Sequence, residues 1–259
     1  HVMTGVAITH SHKFEAVLQL ADDHLILGQR VSEWCGHAPM LEEDLGLANM
    51  ALDLLGQSRA LYAYAAEIED AGRSEDDLAF LRLERQYLNC LLVERPNGDF
   101  AHSILRQLYF AAFMHPFWQW VSANSTDDTL RGIAGKAEKE MAYHVRHCGE
   151  WVVRLGDGTE ESAARIKAAI DALHHYTDEL FQGSAAMTAC AEDGVLPDVE
   201  SLRPAWTATI TSVFAQALLE VPDVAHPQTG GRIGEHGEEM GHILAELQYM
   251  QRTYPNLQW

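Results

Sequence analysis

Helical periodicity along almost the whole chain is the feature that most limits what this sequence can fold into. Apolar residues recur at intervals of three and four in successive segments, and no stretch of the 259 residues alternates convincingly as a strand does. Turn signals rich in glycine and proline, at 36–39, 96–98 and 156–158, separate these segments. The pattern therefore predicts an all-α protein.

The spacing of the turn signals predicts the extent of each helix. Helices are expected over about 14–35, 41–70, 75–94, 99–123, 127–155 and 159–181, with shorter ones over 184–192, 201–220 and 235–253. The expected N-terminal caps are Ser74 at one helix, the run Ser125-Thr126-Asp127 at another and Thr159 at a third. Four of the helices would be roughly 30–45 Å long, and long helices with short connections are typical of an antiparallel bundle.

The composition is sufficient for one domain with a large core. Hydrophobic residues make up 47% of the chain, and no low-complexity linker or internal repeat divides it. We therefore predict a single domain over 1–259, an antiparallel bundle with additional C-terminal helices. Residues 1–13 are expected to be a tag remnant, beginning His1-Val2-Met3, and a flexible N-terminus.

Charge and cysteine usage exclude several classes of protein. A net charge of −20 repels phosphate backbones, which argues against nucleic acid as a partner. No apolar run reaches the length of about 18 residues that indicates a membrane span. The four cysteines are far apart and form no Cys-x-x-Cys motif, so a cytoplasmic protein with reduced thiols is expected.

Two apolar stripes identify the faces that point into the bundle. They comprise Leu47, Met50, Leu54, Gln57, Leu61 and Ala65 in one helix, and Leu130, Ile133, Ala137, Met141, His144, Cys148, Trp151 and Leu155 in another. Gln57 and His144 are the polar exceptions. Two inward polar residues in long helices indicate a site, past or present. The alternative is that each is a core residue hydrogen-bonded to a neighbour.

The spacing of residues around Gln57 and His144 argues against a metal centre. Carboxylate-bridged di-iron bundles use a Glu from each of two helices and Glu-x-x-His from the other two. Here Met141 stands three residues before His144, and Leu54 three residues before Gln57. Glu140 lies four residues before His144. We therefore predict no metal ligand, no bound cofactor and no catalytic residue in this chain, with Leu54, Gln57, Met141 and His144 as degenerate di-iron positions.

One sequence match keeps a metal-binding alternative open. Glu239-x-x-His242 has the correct spacing, but an acid precedes a histidine by three residues four times in this sequence, against about two expected by chance. The rival prediction is a ferritin-like metal-binding oxidase that uses Glu140, His144, Glu239 and His242. A third prediction is a storage or docking protein that works without an enzyme as partner. The glycine-rich segment 229–234 is expected to be a flexible loop, in which Arg232 is a weak candidate for a phosphate contact.

Several longer segments resemble a known family. They are QRVSEWCGHAP at 29–39, LAN at 47–49, LDLLGQ at 52–57, LVERPNG at 92–98, RLGDGT at 154–159 and ELQYMQR at 246–252. The chain resembles the structural, non-catalytic ferritin-like subunit of bacterial phenylacetyl-CoA epoxidase, and the likeness runs from about residue 20 to the C-terminus. It implies a ferritin-like fold.

The resemblance also implies a division of labour. In that family a sister subunit of the same fold holds the di-iron centre and inserts oxygen into the ring of phenylacetyl-CoA. That sister has Asp-Glu-x-x-His where this chain has 53–57, and Glu-Glu-x-x-His where it has 140–144. This chain is then expected to have no activity alone. Its partners would be the catalytic di-iron subunit, a small bridging subunit and a reductase, with no membrane or nucleic acid involved.

Overall fold

The computed structural model describes residues 11–38 and 40–255, and the described chain is built from helices and connecting turns. The α-helices are α1 (His12–Ser32), α2 (Leu41–Glu69), α3 (Glu75–Phe80), α4 (Leu91–Glu94), α5 (Phe100–Asn124), α6 (Asp128–Gly156), α7 (Glu160–Leu173), α8 (Ala185–Glu192), α9 (Arg203–Gln216) and α10 (Glu239–Thr253). Short 3-10 turns lie at Glu84–Gln86, His174–Tyr176, Asp178–Phe181, Val199–Leu202 and Gly231–Ile233.

The four long helices form the bundle. α1 packs most extensively on α2, and α5 on α6, while α7, α8 and α9 cover α5, α1 and the α5–α6 pair. Buried aromatic side chains such as Phe110, Phe117 and Trp118 fill the centre. The prediction of an all-α, ferritin-like bundle with additional C-terminal helices is confirmed.

The predicted caps at Ser74 and Thr159 are confirmed, and of the three residues predicted to cap α6 it is Asp127 that does so. Each of these side chains accepts a hydrogen bond from the first turn of its helix. Ser74 and Asp77 form a reciprocal capping box at α3. Asp127 caps α6 through the amide of Leu130, and Thr159 caps α7. These caps fix where the bundle helices begin.

The prediction of one helix over 75–94 is wrong. The chain instead breaks into α3, a 3-10 turn and α4. Its backbone amides between the two helices bind side chains of α1: Leu88 N donates to Asp22 Oδ2 and Cys90 N to Asp23 Oδ1, both at 2.9 Å. These tertiary hydrogen bonds replace the helical ones, so helical propensity does not decide the local structure.

The helix predicted over 159–181 also ends early, at Leu173. The 3-10 turns that follow carry Glu179 into the interior, where it accepts hydrogen bonds from Leu91 N at 2.7 Å and Gly230 N at 2.8 Å. The helices predicted over 201–220 and 235–253 are shorter than expected, since α9 ends at Gln216 and α10 begins at Glu239.

The first helix begins at His12, inside the segment 1–13 predicted to be a tag remnant and a flexible N-terminus. Ser11 caps this helix, and Lys13 Nζ donates to Asp127 Oδ2 at 2.9 Å. The predicted tag residues His1-Val2-Met3 lie outside the described residues.

Three buried ion pairs, which we call the C-terminal clasp, hold the segments that pack between the bundle and α10. Asp23 with Arg232 and Glu94 with His236 hold the segment before α10. Asp22 with Arg82 holds the connection between α3 and α4, whose Arg82 O accepts a hydrogen bond from Gln248 of α10. A Cβ on Gly231 would stand 2.1 Å from Asn89 O, so only glycine fits there. The glycine-rich segment is therefore packed rather than free. Arg232, the candidate phosphate contact, is instead paired with Asp23.

Candidate functional site

The four residues predicted to be degenerate di-iron positions lie inside the bundle, as their stripes predicted. Leu54 and Gln57 are buried on α2, and Met141 and His144 are buried on α6. Every position predicted for the α2 stripe is buried. In α6, only Ile133, Trp151 and Leu155 are half-buried rather than buried.

His144 has both ring nitrogens engaged by neighbouring side chains. Its Nε2 lies 2.9 Å from Asp53 Oδ2, and its Nδ1 lies 2.9 Å from Gln107 Nε2. With the Gln107 amide group donating to Nδ1, the imidazole is the Nε2–H tautomer and donates to Asp53. Neither nitrogen then offers a free lone pair to a metal ion.

Asp53 and Glu140 form a carboxyl pair at the edge of this interior. Burial, reinforced by the neighbouring Asp53, raises the pKa of Glu140 to about 7. Burial also opposes ionisation of Asp53, but hydrogen bonds from His144 and Glu140 outweigh it and lower the pKa of Asp53. Asp53 therefore carries the negative charge, and Glu140 holds a proton at mildly acidic pH.

Two further polar residues complete the interior. His24 on α1 and Gln107 on α5 are buried beside Gln57 and His144, so each of the four long helices places one polar residue at the centre. We call these four residues the central cluster. Burial lowers the pKa of His24, and its Nδ1–H donates to Leu20 O at 2.7 Å.

Sequence reasoning missed His24 and Gln107, although a signal was present. Both continue apolar 3–4 stripes: His24 follows Leu20 and precedes Leu27, and Gln107 lies between Ile104 and Phe110. α5 is apolar on several faces, which hides Gln107 in the pattern, and Asp22 and Asp23 stand directly before His24, which hides it among polar neighbours. The signal is a polar residue that interrupts an apolar stripe of spacing three and four, the same kind that marks Gln57.

The residues of the interior do not fit a carboxylate-bridged di-iron centre. α1 and α5 offer His24 and Gln107 where the site needs glutamates. The carboxylates of Asp53 and Glu140 each precede the inward position by one residue, and both line a surface groove between α2 and α6. Within residues 11–38 and 40–255, no three His, Cys, Asp or Glu side chains are grouped so that they could hold a metal ion.

The rival metal site is not assembled either. Glu239 lies at the start of α10, where its Oε2 accepts from Arg95 Nη2 at 3.3 Å, and His242 is exposed on the same helix. Glu140 and His144 belong to α6 and bond to other partners. Glu239 is thus engaged in an ion pair with Arg95 at the start of α10.

The geometry defines a class of protein: a ferritin-like bundle with a polar centre but without the ligand set of a di-iron enzyme. The sequence matches the family described as "Phenylacetic acid catabolic protein" over residues 5–259. It is also 47% identical, over 242 residues, to a protein of Escherichia coli K12 that is named as one of the subunits of 1,2-phenylacetyl-CoA epoxidase, and the match covers 93% of this chain and 97% of that protein. The chain belongs to the phenylacetic acid catabolic protein family, which confirms the resemblance. No helix among the described residues has both the length and the apolar character needed to cross a membrane.

Proposed function

We propose that this chain is the non-catalytic, structural subunit of a multicomponent di-iron monooxygenase that epoxidises the ring of phenylacetyl-CoA in aerobic phenylacetate breakdown. In this proposal the di-iron centre belongs to a catalytic partner of the same fold, and this chain holds no cofactor. A small bridging subunit and a reductase complete the system. The name of the E. coli relative, which makes it one subunit of such an epoxidase, supports this assignment.

One observation carries the proposal: the centre of the bundle is closed by its own side chains. His144 is held between Asp53 and Gln107, and Leu54 and Met141 are fully buried where glutamates would be needed. Alkyl side chains cannot coordinate iron, and thioethers favour soft metal ions over iron held by oxygen ligands. The residues here serve packing and hydrogen bonding instead of chemistry.

We infer a cytoplasmic location from the free thiols of the chain. Cys90, Cys148 and Cys190 are buried and free, and Cys35 is exposed and free. Free cysteines are the rule where the surroundings are reducing. Burial also raises the pKa of Cys148 well above its ordinary value, so this thiol is unreactive.

Reconstitution tests the proposal and separates it from its rivals. The isolated chain, given phenylacetyl-CoA, a reductant and oxygen, should form no epoxide. Co-expressed with the catalytic subunit, it should elute with it as one complex, because permanent interfaces between such subunits bury more than about 2,000 Å². Turnover by this chain alone would support the oxidase alternative. Separate elution at micromolar concentration would favour a protein without an oxygenase partner.

A further inference from the structure

The segment before α10 lies directly on the connection between α3 and α4. We call its residues 230–238 the strap. A Cβ on Gly231 would stand 2.1 Å from Asn89 O, and one on Gly234 would stand 2.2 Å from Arg85 O. Backbone therefore packs on backbone here, with no room for a side chain between the two segments.

His236 fastens the strap through both of its ring nitrogens. Its side chain is fully buried, its Nε2 lies 2.7 Å from Tyr87 O, and its Nδ1 contacts Glu94 Oε1. Both partners are acceptors, so both nitrogens must carry a proton, and the imidazole fits this place only as a cation. A neutral imidazole has one N–H, and its second nitrogen would turn a lone pair towards a buried oxygen.

The charges around His236 support its protonated form. Burial opposes protonation, but Glu94 from α4, assisted by Glu84 from the 3-10 turn before it, outweighs burial and raises the pKa of His236. A second cation, Arg95, is also near, but it is shared: its Nη2 lies 3.6 Å from Glu94 Oε2 and 3.3 Å from Glu239 Oε2. The proton on His236 therefore remains important for the balance of charge at Glu94.

The other charged contact of the strap has a different dependence on pH. Arg232 Nη1 donates to Asp23 Oδ1 at 2.7 Å, and the guanidinium of an arginine stays charged at any ordinary pH. Histidine is the side chain that changes its charge near neutral pH. Loss of the proton from His236 thus weakens one attachment of the strap and leaves the pair of Arg232 with Asp23 charged.

The helix that follows the strap is attached by one face only. Of the 15 residues of α10, four are buried: Met240, Ile243, Leu244 and Gln248. The helix α1, in contrast, is buried along most of its length. Segments with few buried residues open locally at a lower cost in free energy than unfolding of the whole molecule. The strap and α10 can therefore open while the four long helices stay packed.

We propose that the strap is a pH-dependent latch: protonated His236 holds it shut between Glu94 and Tyr87 O, and loss of that proton lets the strap and α10 open from the bundle as one unit. The opening uncovers Cys90, which is fully buried and directly follows the residue that Gly231 covers. The charges of Asp23 and Arg232 act on the thiol of Cys90, so this thiol lies where the strap is attached.

Thiol labelling measures the opening. In a Cys35→Ser background, which removes the exposed native thiol, the rate at which Cys90 reacts with a maleimide is followed from about pH 6 to about pH 9. Each rate is divided by that of an unstructured cysteine peptide at the same pH, which removes the effect of thiol ionisation. The corrected rate should rise by up to about tenfold per pH unit above about pH 6.5 and then level off, because the open segment binds the proton of His236 less tightly than the closed one.

Two substitutions and two native thiols serve as controls. His236→Gln should make the corrected rate of Cys90 independent of pH. His242→Gln, at an exposed histidine of α10, is the matched control and should keep the pH dependence of the wild type. Cys148 and Cys190 are buried in α6 and α8, so they report unfolding of the bundle and should stay protected throughout.

Three results would overturn the latch. The first is a corrected rate of Cys90 in the wild type that does not change with pH. The second is an unchanged pH dependence in His236→Gln. The third is a rise in the reactivity of Cys148 and Cys190 together with that of Cys90, because the opening would then be unfolding of the whole chain rather than of the strap and α10.

Discussion

Polar side chains are buried in two regions of this bundle, and the regions differ in how their charges are balanced. In the C-terminal clasp, each of the three carboxylates Asp22, Asp23 and Glu94 faces a cation. The central cluster holds amides and imidazoles in place of charged pairs. Each region leaves buried atoms without a hydrogen-bond partner among the described residues, Gln107 Oε1 in the cluster and Asp23 Oδ2 and Arg232 Nε in the clasp, so charge is what distinguishes the two.

The difference teaches what each region does for the molecule. Buried charges that are paired hold segments in place, and breaking such a pair is strongly destabilising. The central cluster orders no segment. Leu54 and Met141 pack beside it, fully buried. The clasp is thus structural by its chemistry, whereas we propose that the central cluster is the remnant of a metal site whose carboxylates have been replaced.

The largest expected effect comes from breaking the clasp. Asp22→Leu leaves Arg82 buried without its carboxylate and removes an acceptor from Tyr62 and from Leu88 N. We expect a loss of about 3–5 kcal/mol in the free energy of unfolding, measured by urea denaturation. Arg59→Ala, which breaks a pair whose arginine is 80% exposed, is the control and should change it by less than about 1 kcal/mol. If Asp22→Leu and Arg59→Ala lowered the free energy of unfolding equally, the buried ion pair would contribute no more to stability than the exposed one.

Placing a carboxylate beside the central cluster should destabilise the chain by a few kcal/mol. Met141 is fully buried, and Met141→Glu places an unpaired acid in the core. Thermal melts compare it with Tyr143→Glu, a partly exposed position on the same helix. If Met141→Glu melts like the wild type, the inward stripe of α6 is wrong.

Adding Leu54→Glu and Gln57→His to Met141→Glu supplies further ligands. This triple variant should regain stability with anaerobic ferrous iron only if iron binds, since a ligand that binds the folded state stabilises it by mass action. The wild type should not change its melting temperature with iron. A gain of several degrees by the wild type would show a working site.

A smaller, pH-dependent effect should come from His236 in the clasp. Its two ring nitrogens face acceptors, Glu94 Oε1 and Tyr87 O, so it must be protonated to donate to both. Burial opposes protonation, but Glu94 outweighs it and raises the pKa of His236. Its contribution to stability is therefore full below the unfolded pKa of about 6.5 and is lost as pH rises through the higher folded value.

Substitution of His236 isolates this pH effect. His236→Gln should lower the free energy of unfolding by about 1.5–3 kcal/mol at pH 6, the value of hydrogen bonds to a charged group, and by less at pH 9. Glu140 also has a raised pKa, so Glu140→Gln serves as the comparison and should be more stable than the wild type only at high pH. A pH-independent loss in His236→Gln would mean that His236 is neutral in the folded protein.

The bundle could be predicted from the sequence where its helices are amphipathic, as α6 is between its cap at Asp127 and Cys148. The prediction of secondary structure failed between Phe80 and Leu91. The backbone there forms hydrogen bonds with Asp22 and Asp23, which lie more than sixty residues earlier in the sequence. Charged residues usually lie at the surface, so nothing in their local pattern predicts that they are buried and paired.

Only half of the central cluster could be predicted. Gln57 and His144 interrupt clear apolar stripes, and the structure places both inside. His24 and Gln107 lie in helices that are buried on most faces, where a period of 3.6 does not distinguish one inward position. The bond from His144 to Asp53 could not be predicted either, because it depends on how α2 and α6 are rotated against each other.

Iron content tests the central claim most directly. The co-expressed complex of this chain and the catalytic subunit should contain iron, and after the subunits are separated under anaerobic conditions the iron should remain with the catalytic subunit. We predict substoichiometric iron and no di-iron optical signature in this chain, even after expression in iron-rich medium. About two irons per chain, the content of a carboxylate-bridged site, would contradict it.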